Sequence, residues 1–341
     1  MTSHSSVQSG KAFHKDALHL DAALECERIA RQLTETVTQK FRRAGAVVGL
    51  SGGIDSSVVL ALCARAFGAE RVLGLILPER ESSPISRVLA LQLADQFGVR
   101  TLTEEITPIL DAYGCYRRRD EAIRRVIPEY QTGWDVKIVL PGGLLEYGTL
   151  NVFSLVVAGP DGVERRKRLP VKEYKQIVAA SNIKQRVRTN LLYFHAEALN
   201  YAVVGTPNKN EHELGFFVKW GDGGYDIAPL RHLYKTQVYQ LGDYLQIPPA
   251  IMARVPTTDT YPGASPQEEF FFRIPVQLLD VIWFGIENGV PVQQIAEELS
   301  LPEVQIQHVI DDIARKQSST VYMRASPLGF ETEGQSQPAD G

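Results

Sequence analysis

Cysteine is scarce in this chain: three among 341 residues, Cys26, Cys63 and Cys115, with neither a CxxC pair nor the Cys/His spacing that seats zinc. An odd, scattered set excludes a disulfide framework and reads as reduced thiols. Long apolar runs are missing as well. Nothing approaches the roughly 18 residues that a membrane helix needs, and the N-terminus lacks the basic-then-apolar order of a secretory leader. We therefore expect a soluble protein of the cytoplasm. Nor is positive charge in excess: 36 Lys and Arg stand against 40 Asp and Glu, a net charge of −4. That balance offers no general attraction to a nucleic-acid backbone.

What remains is an ordinary globular composition, 44% hydrophobic and 22% charged, in a chain long enough for a substantial core. Residues 1–17 and 328–341 are polar and aperiodic and read as disordered tails, leaving 18–327 as one domain. The spacing Leu20, Ala23, Leu24, Ile29, Leu33, Val37, Phe41 predicts a long amphipathic helix. "AVVGL" (46–50), "RVLGLIL" (71–77), "VRTLTEEI" (99–106) and "YAVVGT" (201–206) read as strands, with helices at 56–67, from Pro84, and at 184–199. Strands apolar on both faces that alternate with helices predict an α/β fold built on a doubly wound parallel sheet. Within 128–181, two β-prone runs flank Pro160-Asp161-Gly162 and predict an inserted hairpin. Its Arg165-Arg166-Lys167-Arg168 run either guards a solvated sheet edge or binds phosphate, and the guarded edge is the commoner use. Towards the C-terminus, "PVQQIAEELS" and "PEVQIQHVIDDIARKQSS" read as two short helices with proline starts.

The most informative stretch is "SGGIDSS", residues 51–57, at a switch from strand to helix. Hydroxyls of Ser51, Ser56 and Ser57, the bare backbone of Gly52 and Gly53, and a helix N-terminus converge there, which is chemistry for an anion. No Lys follows the glycines as GxxxxGK[ST] demands, and GxGxxG fails too. Asp55 repels a phosphate unless a divalent cation bridges the two, so its presence implies Mg²⁺. An N-capping Asp in a glycine-rich turn explains the stretch less completely. A second dense segment, "GTPNKNEHELGFFVKWGDGGYDIAPLRHLYKTQV" (205–238), follows another strand and carries Thr206, Asn208, Lys209, Glu211, Lys219, Asp222 and Lys235. Ligands of open α/β sheets lie beyond the carboxyl ends of the strands, so the two segments are expected to face one another. Lys219 and Lys235 then neutralise polyphosphate charge, and Glu211 is the second Mg²⁺ ligand.

"SGGIDSS" resembles the signature of the N-type ATP pyrophosphatases. "NIKQRVR" (182–188), the GDGG-containing block and "LYKTQV" (233–238) resemble the ammonia-dependent NAD synthases, over about residues 18–327. The resemblance implies an adenine nucleotide α-hydrolase-like fold and two half-reactions. A carboxylate, that of deamido-NAD, attacks the α-phosphate of ATP to give an acyl-adenylate and pyrophosphate, and ammonia then displaces AMP. By motif position it implies that Ser51, Gly52, Gly53, Asp55 and Ser56 hold the pyrophosphate end and that Asp55 and Glu211 hold Mg²⁺. Lys235, Arg188, Thr206 and the "LPERESS" segment (77–83) contact ATP. Thr257, also on ATP, and Asp259 belong to a mobile loop over 257–275 that keeps water from the adenylate. Asn182, Arg186, Lys219 and Asp222 face the carboxylate substrate; Asp222, Lys219 and Lys235 form the expected catalytic set. The family's habit, with spare apolar faces on the first and last helices, points to a C₂ homodimer.

Three departures stand out. Phe271 occupies the place of a family Glu, Tyr322-Met323-Arg324 replaces a His-Lys-Arg, and the 128–181 segment is longer than the family's connection. The first two fall on the substrate side, among whose contacts we also count Phe271 and Arg324. A different carboxylate acceptor is therefore an open alternative to deamido-NAD; otherwise Phe271 and Tyr322 stack on the pyridine ring while Glu268 or Glu269 supplies the missing carboxylate. No Cys-Glu-Lys glutaminase constellation is present, so the nitrogen donor is free ammonia or comes from a separate glutaminase. A tRNA-modifying enzyme of the same superfamily is an alternative of another class, and it calls for paired cysteines and a basic tract. A non-catalytic nucleotide sensor would tolerate loss of Asp55, Glu211 or Lys235, yet all three are here.

Overall fold

The computed structural model describes residues 13–139, 142–145, 153–256 and 271–329. Thr257, Asp259, Glu268 and Glu269, like most of the expected tails, lie outside the described residues. Part of the first tail is ordered: Lys15–Leu18 forms a 3₁₀ turn that buries Leu18. Asp21 then accepts the Leu24 N–H at 3.0 Å and starts α1 (Ala22–Thr34), whose inner face is Cys26, Ile29, Ala30 and Leu33. A π-helical stretch, Glu35–Lys40, continues it.

The runs of Val, Leu, Ile and Gly in the first half have no polar side to show to water, so they lie next to one another in the interior. β1 (Ala46–Gly49), α2 (Ile54–Phe67), β2 (Val72–Ile76), α3 (Pro84–Gln96) and β3 (Arg100–Thr103) alternate as expected. After α4 (Thr107–Ala112) and α5 (Cys115–Val126), the chain enters β4 (Asp135–Val139), β5 (Ser154–Ala158) and β6 (Glu164–Arg168). It returns through α6 (Val171–Leu199) to β7 (Ala202–Val204). The remaining elements are α7 (Lys209–Leu214), α8 (Lys235–Tyr244), α9 (Pro249–Met252), α10 (Val276–Glu287), α11 (Val292–Leu299), α12 (Glu303–Ser319) and α13 (Val321–Arg324).

The main sheet runs β3-β2-β1-β7, all parallel, with Val47 opposite both Leu73 and Val203. The chain leaves β1 toward β2 on one side, and β7 joins β1 on the other after the whole middle of the sequence has passed. Connectivity therefore reverses between β1 and β7, and the crevice beyond their carboxyl ends is the switch point of the sheet. The strands are shorter than the sequence predicts, and α6 begins at Val171, well before the expected helix at 184. The sequence after residue 280 reads as helical, but α10, which starts at Val276, was not named as a helix of its own: VQLLDVIWFGIE is apolar on nearly every side and buries itself in a C-terminal cluster with Ile295, Ile306 and Val309.

The inserted segment is more than a hairpin. β5 and β6 pair as expected around 159–163, but β4 joins the other side of β5 to make a three-stranded antiparallel sheet. Val136 and Ile138 alternate inward on β4 and meet Leu155 and Val157, a period-two signal masked by the polar residues around it. β6 is an edge strand and most of it is exposed, which is where the guarded-edge reading put Arg165–Arg168.

All three cysteines are free and buried, and burial pushes the Cys26 thiol up to about 12. A buried ionic cluster ties the insertion to the main sheet. Lys184 of α6, fully buried, donates to Glu79 at 3.0 Å and to Glu81 at 2.6 Å in the segment after β2. Arg119 of α5 grips Glu81 with both terminal nitrogens at 2.7 and 2.8 Å, and Asp120 accepts from Thr132 at 2.8 Å. Burial opposes charge on Glu81, but the two cations outweigh it and hold its carboxyl below the usual range. A buried charge that loses its partner is expensive. Lys184→Met should lower the unfolding free energy by about 3–5 kcal/mol, read from urea midpoints; a change below about 1 kcal/mol would remove this cluster as a determinant of the fold.

Candidate active site

The turn after β1 is shaped by its small residues. Gly52 has φ = +72°, and a Cβ there would meet the Ser86 carbonyl oxygen at 2.5 Å, so no other residue fits without displacing α3. The Gly53 N–H donates to Ser51 Oγ at 3.2 Å. Ser51 and Ser56 hydroxyls lie 3.2 Å apart, and Ser56 and Ser57 donate to the Gly53 carbonyl at 3.0 and 2.8 Å. The start of α2 is thus a hydroxyl-lined mouth at the positive end of a helix, which favours an anion.

The segment after β7 meets it as expected. Asn208 caps α7 in a reciprocal box with Glu211: its Oδ1 accepts the Glu211 N–H at 3.0 Å, and Glu211 Oε2 accepts the Asn208 N–H at 3.2 Å. The other end of the same amide donates to Asp55 Oδ1 at 2.9 Å. Lys235 Nζ donates to Asp55 Oδ2 from the first turn of α8. Ser51, Gly52, Gly53, Asp55, Ser56, Glu211 and Lys235 are therefore gathered at the switch point, and Thr206 lies half-buried on the loop just after β7. Burial, reinforced by the Asp55 charge, pushes Glu211 up to about 8. Burial also works against the Lys235 ammonium, but Asp55 and Glu211 outweigh it and hold Lys235 above its ordinary value.

The other expected residues form a second group. Lys219 donates to the carbonyls of Tyr322 at 2.7 Å and Ala325 at 2.9 Å, with its ammonium 4.1 Å from the Tyr322 ring centre. Arg186 donates to the Lys219 carbonyl at 3.3 Å, and Asp222, open to solvent, accepts the Val218 N–H at 2.7 Å. Asn182 lies half-buried one turn earlier on α6. Arg188 donates to the Leu77 carbonyl at 3.1 Å at the end of β2. In the 77–83 segment, Glu79 and Glu81 turn inward to Lys184, and Arg80 pairs with Asp111. Arg324 clasps the ends of α7 and α12 through the carbonyls of Glu213 and Gln317, each at 2.7 Å. Phe271 is half-buried, its ring 4.6 Å from that of Phe216, and Lys316 donates to its carbonyl at 2.6 Å.

Two positioning residues were not singled out from sequence. Asp280 of α10, fully buried, accepts from Asn210 and from the Thr236 N–H at 2.9 Å, while Asn210 accepts the Lys235 N–H at 3.1 Å. The pair satisfies the free N–H groups at the start of α8 and so aims Lys235. A lone Asp within the apolar run "VQLLDVIWF" was the available signal. A cleft of about 320 Å³ opens beside Lys235 and Asn208, walled by Tyr239, Met252, Arg254 and Phe272. Among the described residues no three His, Cys, Asp or Glu are placed so that they could hold a metal ion together, and no helix is long and apolar enough to cross a membrane.

A parallel α/β sheet with a serine- and glycine-lined turn, a carboxylate and a lysine at its switch point defines the class: an N-type ATP pyrophosphatase fold. The family model described as NAD synthase matches residues 25–126 and 161–322 and passes over the stretch that holds β4 and β5. An NH(3)-dependent NAD(+) synthetase of Mesorhizobium japonicum is 48% identical over 311 residues, covering 91% of this chain and 97% of that protein. One from Rhizobium meliloti is 45% identical, covering 94% and 95%. Among solved structures, an NMN synthetase from Francisella tularensis (TM-score 0.63, 22% identity, covering 92% of this chain and 100% of that one) shares the fold. So does an NH3-dependent NAD synthetase from Campylobacter jejuni (TM-score 0.59, 21% identity, with the same coverage). The chain belongs to the NAD synthase family, and it is an ATP-dependent ligase that forms a C–N bond.

Asp280 gives this site a pH signature. Burial pushes its carboxyl up to about 6 from 3.8. A raised folded value means that the folded state holds the proton more tightly, so this group's stabilising contribution is full below about pH 4 and is lost as pH rises through about 6. Relative to Asp280→Asn, the wild type should lose up to about 3 kcal/mol of stability between those limits. Urea titrations across that range check this, and a difference that stays flat with pH would contradict it.

Proposed function

We propose that this chain amidates deamido-NAD to NAD, using ATP and free ammonia and releasing AMP and pyrophosphate. The observation that carries the reading is the joining of Asp55, Asn208, Glu211 and Lys235 beneath the Ser51–Ser56 turn, supported by relatives at 45–48% identity named for that activity. In the first step the substrate carboxylate oxygen bonds to the α-phosphorus, and the Pα–O bond to the β-phosphate breaks with its electron pair going to pyrophosphate. The Ser51 and Ser56 hydroxyls and the N–H groups of the turn receive that charge, and Lys235 neutralises part of it. In the second step ammonia forms the C–N bond, AMP leaves and a proton is given up.

Mg²⁺ suits the donors present, since it takes one or two carboxylates and completes its shell with phosphate oxygens and water. Asp55 and Glu211 are that pair; Glu211, which burial leaves reluctant to ionise alone, gains most from a cation. When bound, the ion supplies charge neutralisation for the leaving pyrophosphate. Lys219, Asp222, Arg186 and Asn182 form the acceptor side, with Phe271 and Arg324 shaping it from behind through packing and carbonyl bonds.

Purified protein with ATP, deamido-NAD and ammonium should yield NAD, AMP and pyrophosphate in equal amounts; turnover on another carboxylate and none on deamido-NAD would refute the acceptor. Asp55→Asn should lower kcat by at least about 100-fold while circular dichroism stays native, and full activity in that variant would refute its place beside the phosphates. We also read the chain as a homodimer, its exposed Leu24, Val321 and Tyr322 offering apolar surface. Light scattering should give twice the chain mass, and a monomer at working concentration would rule the dimer out.

A further inference from the structure

The cations near the switch point are mostly spent on internal partners. Lys235 is paired with Asp55, Lys209 with Glu287, and Lys184 with Glu79 and Glu81; Lys219 is held by two carbonyls of the C-terminal segment. Arg254, just after α9, differs. Its Nη1 donates to the Gly52 carbonyl at 3.2 Å and its Nη2 to Ser86 Oγ at 2.8 Å. Both acceptors are neutral, and among the described residues no carboxylate pairs with it. A guanidinium has five N–H donors in a rigid fork, so donors remain for another acceptor. The residue is half-buried and lines the same cleft as Lys235 and Asn208. Its charge therefore rests against the turn that receives an anion, where the field of a cation is less screened than at the open surface.

The charge balance asks for such a group. Lys235 and Asp55 cancel, and Glu211 adds either nothing or a further negative charge. A pyrophosphate leaving group brings several negative charges to a turn whose one gathered lysine, Lys235, is already paired with Asp55. We propose that Arg254 binds the β- and γ-phosphates of ATP, and then the departing pyrophosphate, as the second protein cation of the site beside Lys235. The assignment rests on the reading that ATP is cleaved to AMP and pyrophosphate. As the Pα–O bond breaks, the charge collecting on pyrophosphate is what Arg254 meets.

Binding of inorganic pyrophosphate and of AMP, measured by calorimetry on the full chain, tests this with Arg254→Met and Arg254→Lys. Loss of a charge-assisted contact weakens binding by roughly 10- to 100-fold. Arg254→Met should show that loss for pyrophosphate, with AMP affinity unchanged because AMP lacks those phosphates. Arg254→Lys keeps the charge but loses the fork, so its loss should be clearly smaller than that of Arg254→Met. Unchanged pyrophosphate affinity in Arg254→Met would overturn the proposal. So would a fall in Arg254→Lys as large as in Arg254→Met, since the bridge between Gly52 and Ser86 would then be what matters. A wild type that binds pyrophosphate and forms AMP but no NAD would defeat deamido-NAD as acceptor while the same variants still decide Arg254.

Discussion

One carboxylate organises this molecule. Asp55 takes a hydrogen bond from Asn208 on one oxygen and the Lys235 ammonium on the other, so three segments far apart in sequence meet at a single group. Each partner is itself fixed. Asn208 caps α7 together with Glu211, and Lys235 opens α8 with its N–H held by Asn210. A shift in any one of these would unseat a buried charge, which is the reason the geometry is stiff.

The cost of gathering charge at the switch point is spread through the surrounding interior. Asp280 is buried among apolar residues so that the first turn of α8 has its acceptors, and its carboxyl is driven upward as a result. On the other side of the sheet, Lys184, Arg119, Glu79 and Glu81 lock the segment after β2 to α5 and α6. That cluster also reaches Thr132 at the edge of the insertion, so the extra sheet is anchored by the same ionic contacts that hold the main one. The family model passes over the part of the chain with β4 and β5, which form an apolar cluster of their own with α5 and α6, while the same two helices also pack Cys115, Tyr116, Val187 and Ala196 against the main sheet.

The residues expected on the substrate side have internal work in the structure. Phe271 packs in an aromatic cluster with Phe216 and Phe272 and is anchored by Lys316. Arg324 closes the ends of α7 and α12, while Tyr322 lies beneath the Lys219 ammonium. These side chains hold elements together, Arg324 joining α7 to α12 and Phe271 meeting Lys316 of α12.

The parallel sheet, the glycine and serine turn and the two facing segments were legible because each is a local property. Apolar runs without a polar face, residues that tolerate φ above zero, and a helix start can all be read within ten residues of one another. The capping pair of Asn208 and Glu211 was not read from the sequence, where Glu211 stood only as an expected Mg²⁺ ligand. β4, α10 and the buried roles of Asp280, Lys184 and Arg254 were not legible either, because a polar residue's partner is set by which surfaces come together and not by its neighbours in the chain. The sequence by itself determined the parallel sheet, the small-residue turn after its first strand and the polar segment that faces it. The tertiary structure alone decided which cations are already spent, since pairing depends on distances between side chains that lie 100 or more residues apart, such as Lys235 and Asp55, which are 180 positions apart.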